Sequence, residues 1–263
     1  MKHVDLKIQD LRKNSTDKLK GRDVYFLWSG GEDSTALLKM LIEFDIQTLC
    51  NMTIVTIPFP QHVYYYEHLS KAQEYLEKLG FNVAILYAKR HDFALPYSEA
   101  CGVCKIMRRT MFMDYYSSQK KNNDIIITAH NLYDLMSYYT EMAITNMSVE
   151  EIPQQKERKL EVTNKLLESY ITEVGTELFR PMIYFTQPEI QQILGCRKFD
   201  NGKLSIVENE CLWANQRKRL LHDYFQKAKI ISDFTTVYKL FSDSFGIPSN
   251  CDFQALPYET YLV

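Results

Sequence analysis

Residues 24–34 read Val-Tyr-Phe-Leu-Trp-Ser-Gly-Gly-Glu-Asp-Ser, and this stretch decides the fold. Its first five residues form a continuous apolar run, which is typical of a parallel strand that is buried on both faces. From Ser34 to Phe44 the apolar residues recur at helical spacing, so the chain passes directly from a strand into a helix. Between the two lie Gly30 and Gly31, which allow a sharp turn and a close approach to the backbone. We therefore predict a strand–loop–helix unit whose loop is shaped for a ligand.

The same alternation of strand and helix continues along the chain. Apolar runs predict further strands at 50–57, 81–87 and 124–129, and helical spacing predicts further helices at 63–79, 104–116, 130–145 and 188–194. Such alternation is typical of a doubly wound parallel α/β sheet. Ligands of these sheets bind at the carboxyl ends of the strands. Segments 29–34, 56–60 and 129–134 fall at such ends and are the candidate site segments.

The chain divides into three regions by composition and pattern. We predict an N-terminal helical extension at 1–20, a nucleotide-binding α/β domain at 21–195 and a mainly helical C-terminal extension at 196–263. Within the domain, residues 149–165 turn polar and charged, which indicates a surface excursion.

Composition narrows the cellular setting. The first 20 residues alternate charged and polar side chains, and no apolar run approaches the roughly 20 residues of a membrane span, so neither a secretory signal nor a membrane segment is predicted. Six cysteines without such a signal indicate the reducing cytoplasm.

The net charge of −2 gives no global basic field, so an RNA partner would have to bind a local patch. The candidate patches are Lys105/Arg108/Arg109, Lys120/Lys121, Lys156/Arg158/Lys159 and Arg217/Lys218/Arg219, each equally consistent with a solvated helix face.

The segment from Ser29 to Ser34 has the residue types that a phosphate-binding loop needs. Gly30 and Gly31 admit the phosphates, and the N-terminus of the following helix supplies aligned N–H donors and partial positive charge. Both serines offer hydroxyl groups, and Asp33 can hold Mg²⁺ against the phosphates of ATP. The alternative is an ordinary strand–helix turn in which Ser34 caps the helix.

The pair Cys101-Gly-Val-Cys104 is the second candidate site. Both sulfurs can reach one metal ion, and a position at a helix start beside cations favours the thiolate form. Zinc would require four ligands, so the pair alone does not complete a site. Two ordinary cysteines remain the alternative. Further ligands would come from Cys50, Cys196, Cys211 and Cys251.

The motif Ser-Gly-Gly-x-Asp-Ser resembles the signature of the PP-loop ATP pyrophosphatase superfamily, over about residues 20 to 195. The order of that motif, the Cys101/Cys104 pair, Ala-His-Asn-Leu-Tyr-Asp at 129–134, Arg180-Pro181 and a late cysteine resembles the tRNA 2-thiocytidine synthetase group of tRNA thiolases. The resemblance implies an adenine nucleotide alpha hydrolase-like fold. It also implies an enzyme that adenylates a base carbonyl oxygen and replaces the oxygen with sulfur.

The resemblance also implies roles for individual residues. Cys101, Cys104 and a late cysteine would hold a 4Fe–4S cluster; Cys211 matches best because a basic helix follows it, and Cys196 is the rival. The candidate catalytic residues are Cys101, Cys104, Asp33, His130 and Asp134, and the candidate nucleotide-binding residues are Ser29, Gly30, Gly31, Asp33, Ser34 and Arg180. His130 is alternatively a packed histidine at a strand end. The chain departs from the group at Tyr133, where an Asp is usual, and at Ser137, where a Glu is usual.

We therefore expect an ATP- and Mg²⁺-dependent sulfur transferase that acts on tRNA and receives sulfur from sulfide or a donor protein. Thiolation of a small metabolite is the alternative within the same chemistry. An ATP-binding regulator without catalysis is the alternative from another class, supported by Tyr133 and Ser137. The sequence leaves open which base accepts the sulfur and whether the cysteines hold an iron–sulfur cluster or zinc. It also leaves open the oligomeric state, for which a homodimer is one option.

Overall fold

The computed structural model describes residues 2–58, 63–87, 97–146, 168–171, 175–196, 204, 216–229 and 233–245. Six strands form one sheet within these residues: β1 (Asp23–Leu27), β2 (Asn51–Thr56), β3 (Asn82–Ile85), β4 (Asp124–Ile127), β5 (Ser169–Ile171) and β6 (Glu177–Phe179). The helices are α1 (Lys2–Leu19), α2 (Glu32–Glu43), α3 (Val63–Lys78), α4 (Tyr97–Gln119), α5 (Leu132–Asn146), α6 (Gln187–Cys196), α7 (Gln216–Lys227) and α8 (Phe234–Phe245), with short 3-10 helices at Ile46–Thr48 and Pro181–Tyr184.

The strand order is β3-β2-β1-β4-β6-β5. Five strands are parallel, which confirms the predicted doubly wound sheet, and β5 pairs antiparallel with β6 at the edge. The sequence analysis predicted no strand at β5 or β6. Chain order runs one way from β1 to β3 and the other way from β4 to β6, so a topological switch point lies between β1 and β4. Ligands of open α/β sheets bind in the crevice at such a point.

The central strands are buried on both faces, and successive residues serve different cores. Val24 and Phe26 of β1 pack in the larger core with residues of α1, α2, α3 and α6. Tyr25, which lies between them, packs in the second core with Phe112 and Tyr116 of α4. Side chains alternate across a strand, so two cores require an unbroken apolar run. This is the physical reason for the sequence 24–28.

The terminal helices pack on the α/β sheet. Val4 and Ile8 of α1 are buried in the larger core, and Lys7 binds both carboxylate oxygens of Glu189 on α6 at 2.8 and 2.9 Å. At the other end, Phe225 of α7 packs edge-on against Tyr133 of α5, with ring centroids 5.6 Å apart. In the part of the chain that the structure describes, no helix is both long and apolar enough to cross a membrane.

The boundaries of one helix differ from the prediction in a way that affects the cysteines. Helix α4 begins at Tyr97, whereas the sequence pattern placed its start at Cys104. Cys101 and Cys104 therefore lie inside the helix, beyond its first turn. The favourable field of a helix N-terminus falls off within that turn. The argument that a helix start stabilises the thiolates is therefore wrong for this chain.

Candidate nucleotide-binding site

The loop between β1 and α2 has a backbone that depends on glycine. Gly30 has φ of 77°, in the left-handed region that residues with a side chain rarely adopt. Gly31 is the N-cap of α2 in an extended conformation, and no side chain caps the helix there. Ser34 lies in the first turn of α2, so Ser34 is not the N-cap of that helix, as the alternative had predicted; whether the loop is an ordinary turn stays a separate question from its cap.

Two serine hydroxyls fold the loop onto itself. The Ser34 hydroxyl accepts a hydrogen bond from the Ser29 N–H at 3.2 Å, and the two serine oxygens are 2.9 Å apart. The Gly31 N–H donates to the Ser29 hydroxyl at 3.2 Å. The loop thus gathers backbone and hydroxyl donors at the N-terminus of a helix, an arrangement suited to phosphate oxygens.

Asp33 connects the loop to the strand on the other side of the switch point. Its Oδ2 accepts a hydrogen bond from the side-chain amide of Asn131 at 3.0 Å. Asp33 follows β1 and Asn131 follows β4, and these strands are neighbours. The contact therefore closes across the β1/β4 crevice, where the fold places a ligand. The sequence analysis brought both segments to this edge and did not identify Asn131.

Asn131 had a sequence signal that points to a helix start. Its side-chain oxygen accepts the backbone N–H of Asp134 at 3.1 Å, and the Asp134 carboxylate accepts the backbone N–H of Asn131 at 2.9 Å. This reciprocal pair, three residues apart at the start of α5, is a capping box. The pattern Asn-Leu-Tyr-Asp predicts the cap; the contact with Asp33 depends on the tertiary fold.

Asp134 and Tyr133 face the C-terminal helix. The second carboxylate oxygen of Asp134 lies 3.6 Å from Nε2 of His222 on α7. Tyr133 is buried against His222 and Phe225, and burial, with the charge of Glu189, raises its pKa. At the position where the resembled group has an Asp, this chain therefore carries a packing residue. The catalytic role of Asp134 stays a prediction.

The two other predicted residues near this edge, His130 and Arg180, both make hydrogen bonds within the chain. Nδ1 of His130 lies 3.0 Å from the Thr128 hydroxyl, as expected of the alternative in which His130 packs at the strand end. Arg180 follows β6 directly and is 1% exposed, and its N–H donates to the Glu168 carbonyl at 2.7 Å. The catalytic role of His130 and the nucleotide-binding role of Arg180 stay predictions.

Helix α4, which contains the cysteine pair, begins on the carboxyl side of the sheet. It connects the parallel strands β3 and β4, so it runs from their carboxyl edge back to the amino edge. Phe112 of α4 packs against Tyr25 and Ile126, on the two strands that flank the switch point. Cys104 lies eight residues before Phe112, which is about 12 Å nearer the start of the helix at 1.5 Å per residue. Position 104 therefore lies toward the β1/β4 carboxyl ends, and its side chain is half-buried.

The remaining ligand candidates are largely outside the described residues. Cys211 and Cys251 lie outside them, as does the basic cluster Lys156/Arg158/Lys159. Cys196 ends α6, and Cys101 lies in α4. Among the side chains that are described, no group of three His, Cys, Asp or Glu residues is placed to hold a metal ion.

The fold and the loop at its switch point define the class. The sheet order and the crossing helices are those of the adenine nucleotide alpha hydrolase fold, and the Ser-Gly-Gly-Glu-Asp-Ser loop lies at the end of β1. The sequence itself matches no known protein family and no curated protein.

Solved structures agree with this assignment. The U34-tRNA thiolase NcsA from Methanococcus maripaludis, solved with its [4Fe-4S] cluster, is similar with a TM-score of 0.64 and 15% identity, over 95% of this chain and 82% of that one. NMN synthetase from Francisella tularensis is similar with a TM-score of 0.50 and 12% identity, over 95% of this chain and 99% of that one. At these identities the similarity shows the shared fold.

Proposed function

We propose that this chain is an ATP-dependent sulfur transferase that adenylates a carbonyl oxygen of a base in tRNA and replaces that oxygen with sulfur. One observation carries the proposal. The phosphate loop follows β1, and α4, the helix that contains the cysteine pair, packs through Phe112 in one core with Tyr25 of β1 and Ile126 of β4. Because α4 runs toward the amino edge of the sheet, its cysteine positions lie on the carboxyl side of Phe112. A nucleotide and a sulfur-handling group would therefore meet there.

The loop residues would bind Mg·ATP. The N–H groups at the start of α2 and the hydroxyls of Ser29 and Ser34 would exchange their mutual hydrogen bonds for phosphate oxygens. The Asp33 carboxylate, held at the crevice by Asn131, would bind the Mg²⁺ that bridges the phosphates. Arg180, at the end of β6, would supply positive charge at the same edge.

The reaction has two displacements. The base carbonyl oxygen attacks the α-phosphorus of ATP, the bond to the β-phosphate oxygen breaks, and pyrophosphate leaves with the electron pair. A sulfide then attacks the activated carbon, the C–O bond breaks, and AMP leaves with the former carbonyl oxygen. With sulfide as the donor the exchange needs no oxidant or reductant, because sulfide loses only protons.

The spacing of Cys101 and Cys104 in the sequence suits a thiolate-held group. Cys101 and Cys104 are three residues apart in α4, so their positions lie on one face of the helix. With Cys211 as the third ligand, or Cys196 as its rival, they would hold a 4Fe–4S cluster, and zinc remains the alternative metal. When bound, such a cluster offers one iron without a protein ligand to the incoming sulfur.

The tRNA substrate is supported by basic residues near the cysteines. Arg108 and Arg109 follow Cys104 by one turn of α4 and are half-buried. The predicted Lys120/Lys121 patch is less suitable, because Lys121 binds the Asp23 carboxylate at 2.6 Å, at the amino edge of the sheet. The two departures that favoured a regulator have packing roles: Tyr133 contacts α7, and the Ser137 hydroxyl donates to the Tyr133 carbonyl at 2.8 Å.

The test uses protein prepared without oxygen, supplied with Mg·ATP, sulfide and bulk tRNA. Pyrophosphate release and the masses of nucleosides from digested tRNA are the measurements. Asp33→Ala should lower pyrophosphate release by about 10²-fold or more, the scale for an electrostatic contact to a transition state. Asp23→Ala, at the start of β1 on the amino edge of the sheet, is the control and should keep most of the activity.

Cysteine variants test the sulfur step separately. Cys104→Ser should abolish thionucleoside formation while ATP still binds, and Cys50→Ser, whose thiol donates to the Ile46 carbonyl, should not. Pyrophosphate release with a nucleoside or another small acceptor, and none with tRNA, would favour the metabolite alternative. Tight ATP binding without turnover of any acceptor would favour the regulator and contradict the proposal.

A further inference from the structure

Asn131 is held by a set of hydrogen bonds that fixes the direction of its amide. Its side-chain oxygen accepts a backbone N–H, from Asp134 at 3.1 Å. A backbone N–H can only donate, so the oxygen of the amide must face the start of α5. The amide nitrogen must then face the other way. It donates to Asp33 at 3.0 Å and to Gln187 of α6 at 2.8 Å.

The same set of contacts ties down both acidic residues at the start of α2. Gln187 accepts from Asn131 and in turn donates to the Glu32 carboxylate at 2.8 Å, and Gln191 adds a longer contact of 3.4 Å. Glu32 is thus directed toward α6, whereas Asp33 is directed toward α5. Three side-chain amides thus donate to two adjacent carboxylates. Three helix starts, of α2, α5 and α6, are linked by this chain of hydrogen bonds.

We propose that Asn131 is a positioning residue of the nucleotide site, which holds the Asp33 carboxylate in the direction in which it meets the Mg²⁺ of the bound nucleotide. The inference rests on the proposed function and extends it to a residue outside the phosphate loop. Asn131 is fully buried, so its two donors are fixed before any ligand arrives. A carboxylate that is already oriented loses less entropy when it binds a metal.

Substitutions at this position can separate positioning from capping. Asn, Asp and Ser are about equally good N-caps, so Asn131→Ser keeps the start of α5 and loses the reach to Asp33. Asn131→Asp also keeps the cap and places an acceptor where Asp33 needs a donor. Asn51→Ser is the matched control. It removes a bond of the same chemical type, from a side-chain amide to the Asp23 carboxylate at 2.6 Å, at an exposed position on the amino edge of the sheet.

Trp28 provides the readout. It adjoins the loop, and its indole N–H donates to the Thr35 hydroxyl at 3.1 Å. Trp213 is the second tryptophan, so a Trp213→Phe background leaves Trp28 as the sole reporter. Trp28 fluorescence is recorded while Mg²⁺ is added at fixed ATP, and again while ATP is added in the presence of a chelator. Thermal unfolding is measured on the same proteins.

Asn131→Ser should raise the half-saturating Mg²⁺ concentration by about tenfold, the scale for losing a hydrogen bond to a charged group. Its affinity for ATP without Mg²⁺ and its Tm should stay close to those of the Asn51→Ser protein. An unchanged Mg²⁺ dependence would overturn the proposal, as would parallel losses in Mg²⁺-free binding and Tm.

A second measurement tests the hydrogen bond between Asn131 and Asp33 independently of whether the chain binds ATP. The ¹³C signal of the Asp33 side-chain carboxyl, assigned by comparison with Asp33→Asn, reports the contact without any nucleotide. Asn131→Ser should shift that signal and Asn51→Ser should not. If the wild-type chain binds no ATP, the proposed function and this proposal fail. In that case, a carboxyl signal shifted by Asn131→Ser would show that the hydrogen bond to Asp33 exists without a role in nucleotide binding. An unshifted signal would show that the hydrogen bond itself is absent.

Discussion

Glu177 offers the sharpest test of how the N-terminal helix is held to the sheet. Its carboxylate accepts hydrogen bonds from Lys18 of α1 at 2.7 Å, and from Arg22 and Ser169. Burial alone would raise the pKa of Glu177, but these hydrogen bonds outweigh burial and hold the pKa at about 2, from an ordinary value of 4.5. The charged carboxylate is therefore favoured in the folded chain.

The magnitude follows from that difference in pKa. At about 1.36 kcal/mol per pKa unit, the shift is worth at most roughly 3.5 kcal/mol of the free energy of unfolding. The Lys18 side chain is 34% exposed, so solvent screens part of the interaction. We therefore expect about 2 kcal/mol at neutral pH. Because the folded pKa is lowered, this stability is fully present above pH 4.5 and is lost as the pH falls toward 2.

The perturbation is Glu177→Gln, which keeps the shape of the side chain and removes its charge. Urea unfolding at pH 7, 5 and 3 should show the variant less stable by about 2 kcal/mol at pH 7, with the gap falling below about half by pH 3. Glu74→Gln, which removes the exposed pair with Lys78, is the control and should change little. Equal stability of wild type and Glu177→Gln at pH 7, or a gap that does not depend on pH, would show that the Glu177 charge does not stabilise the folded chain.

Two further predictions concern the C-terminal helix and one cysteine. Phe225→Ala should destabilise the chain by about 3 kcal/mol, because Phe225 is buried against Tyr133, and should speed hydrogen exchange in α7; exposed Tyr224→Ala is the control, and equal effects would contradict the packing. Burial, and then the charge of Asp23, raises the pKa of the Cys50 thiol to about 12. Iodoacetamide at pH 8 should therefore modify Cys50 at least about tenfold more slowly in the folded than in the denatured chain, as checked by peptide mass; equal rates would contradict the buried, protonated thiol.

The sequence predicted the fold well where its signal is local. Two buried faces require the unbroken apolar run at 24–28, and the glycine at position 30 is required by a left-handed backbone. Both signals lie within a few residues of the feature that they predict. The short strands β5 and β6 were not predicted, because three residues carry too little pattern to distinguish a strand from a loop.

The alternation of strands and helices was predictable from the sequence alone, as were the sheet edge at which ligands of such folds bind and the position of the glycine loop. Only the tertiary structure decided that Asn131 holds Asp33, a residue 98 positions away in the chain, and that Tyr133 faces α7. Both outcomes depend on which strands are neighbours and which helices pack together. Local spacing predicts the period of a strand or a helix, and a contact between distant segments arises only when the sheet order brings their ends to one place.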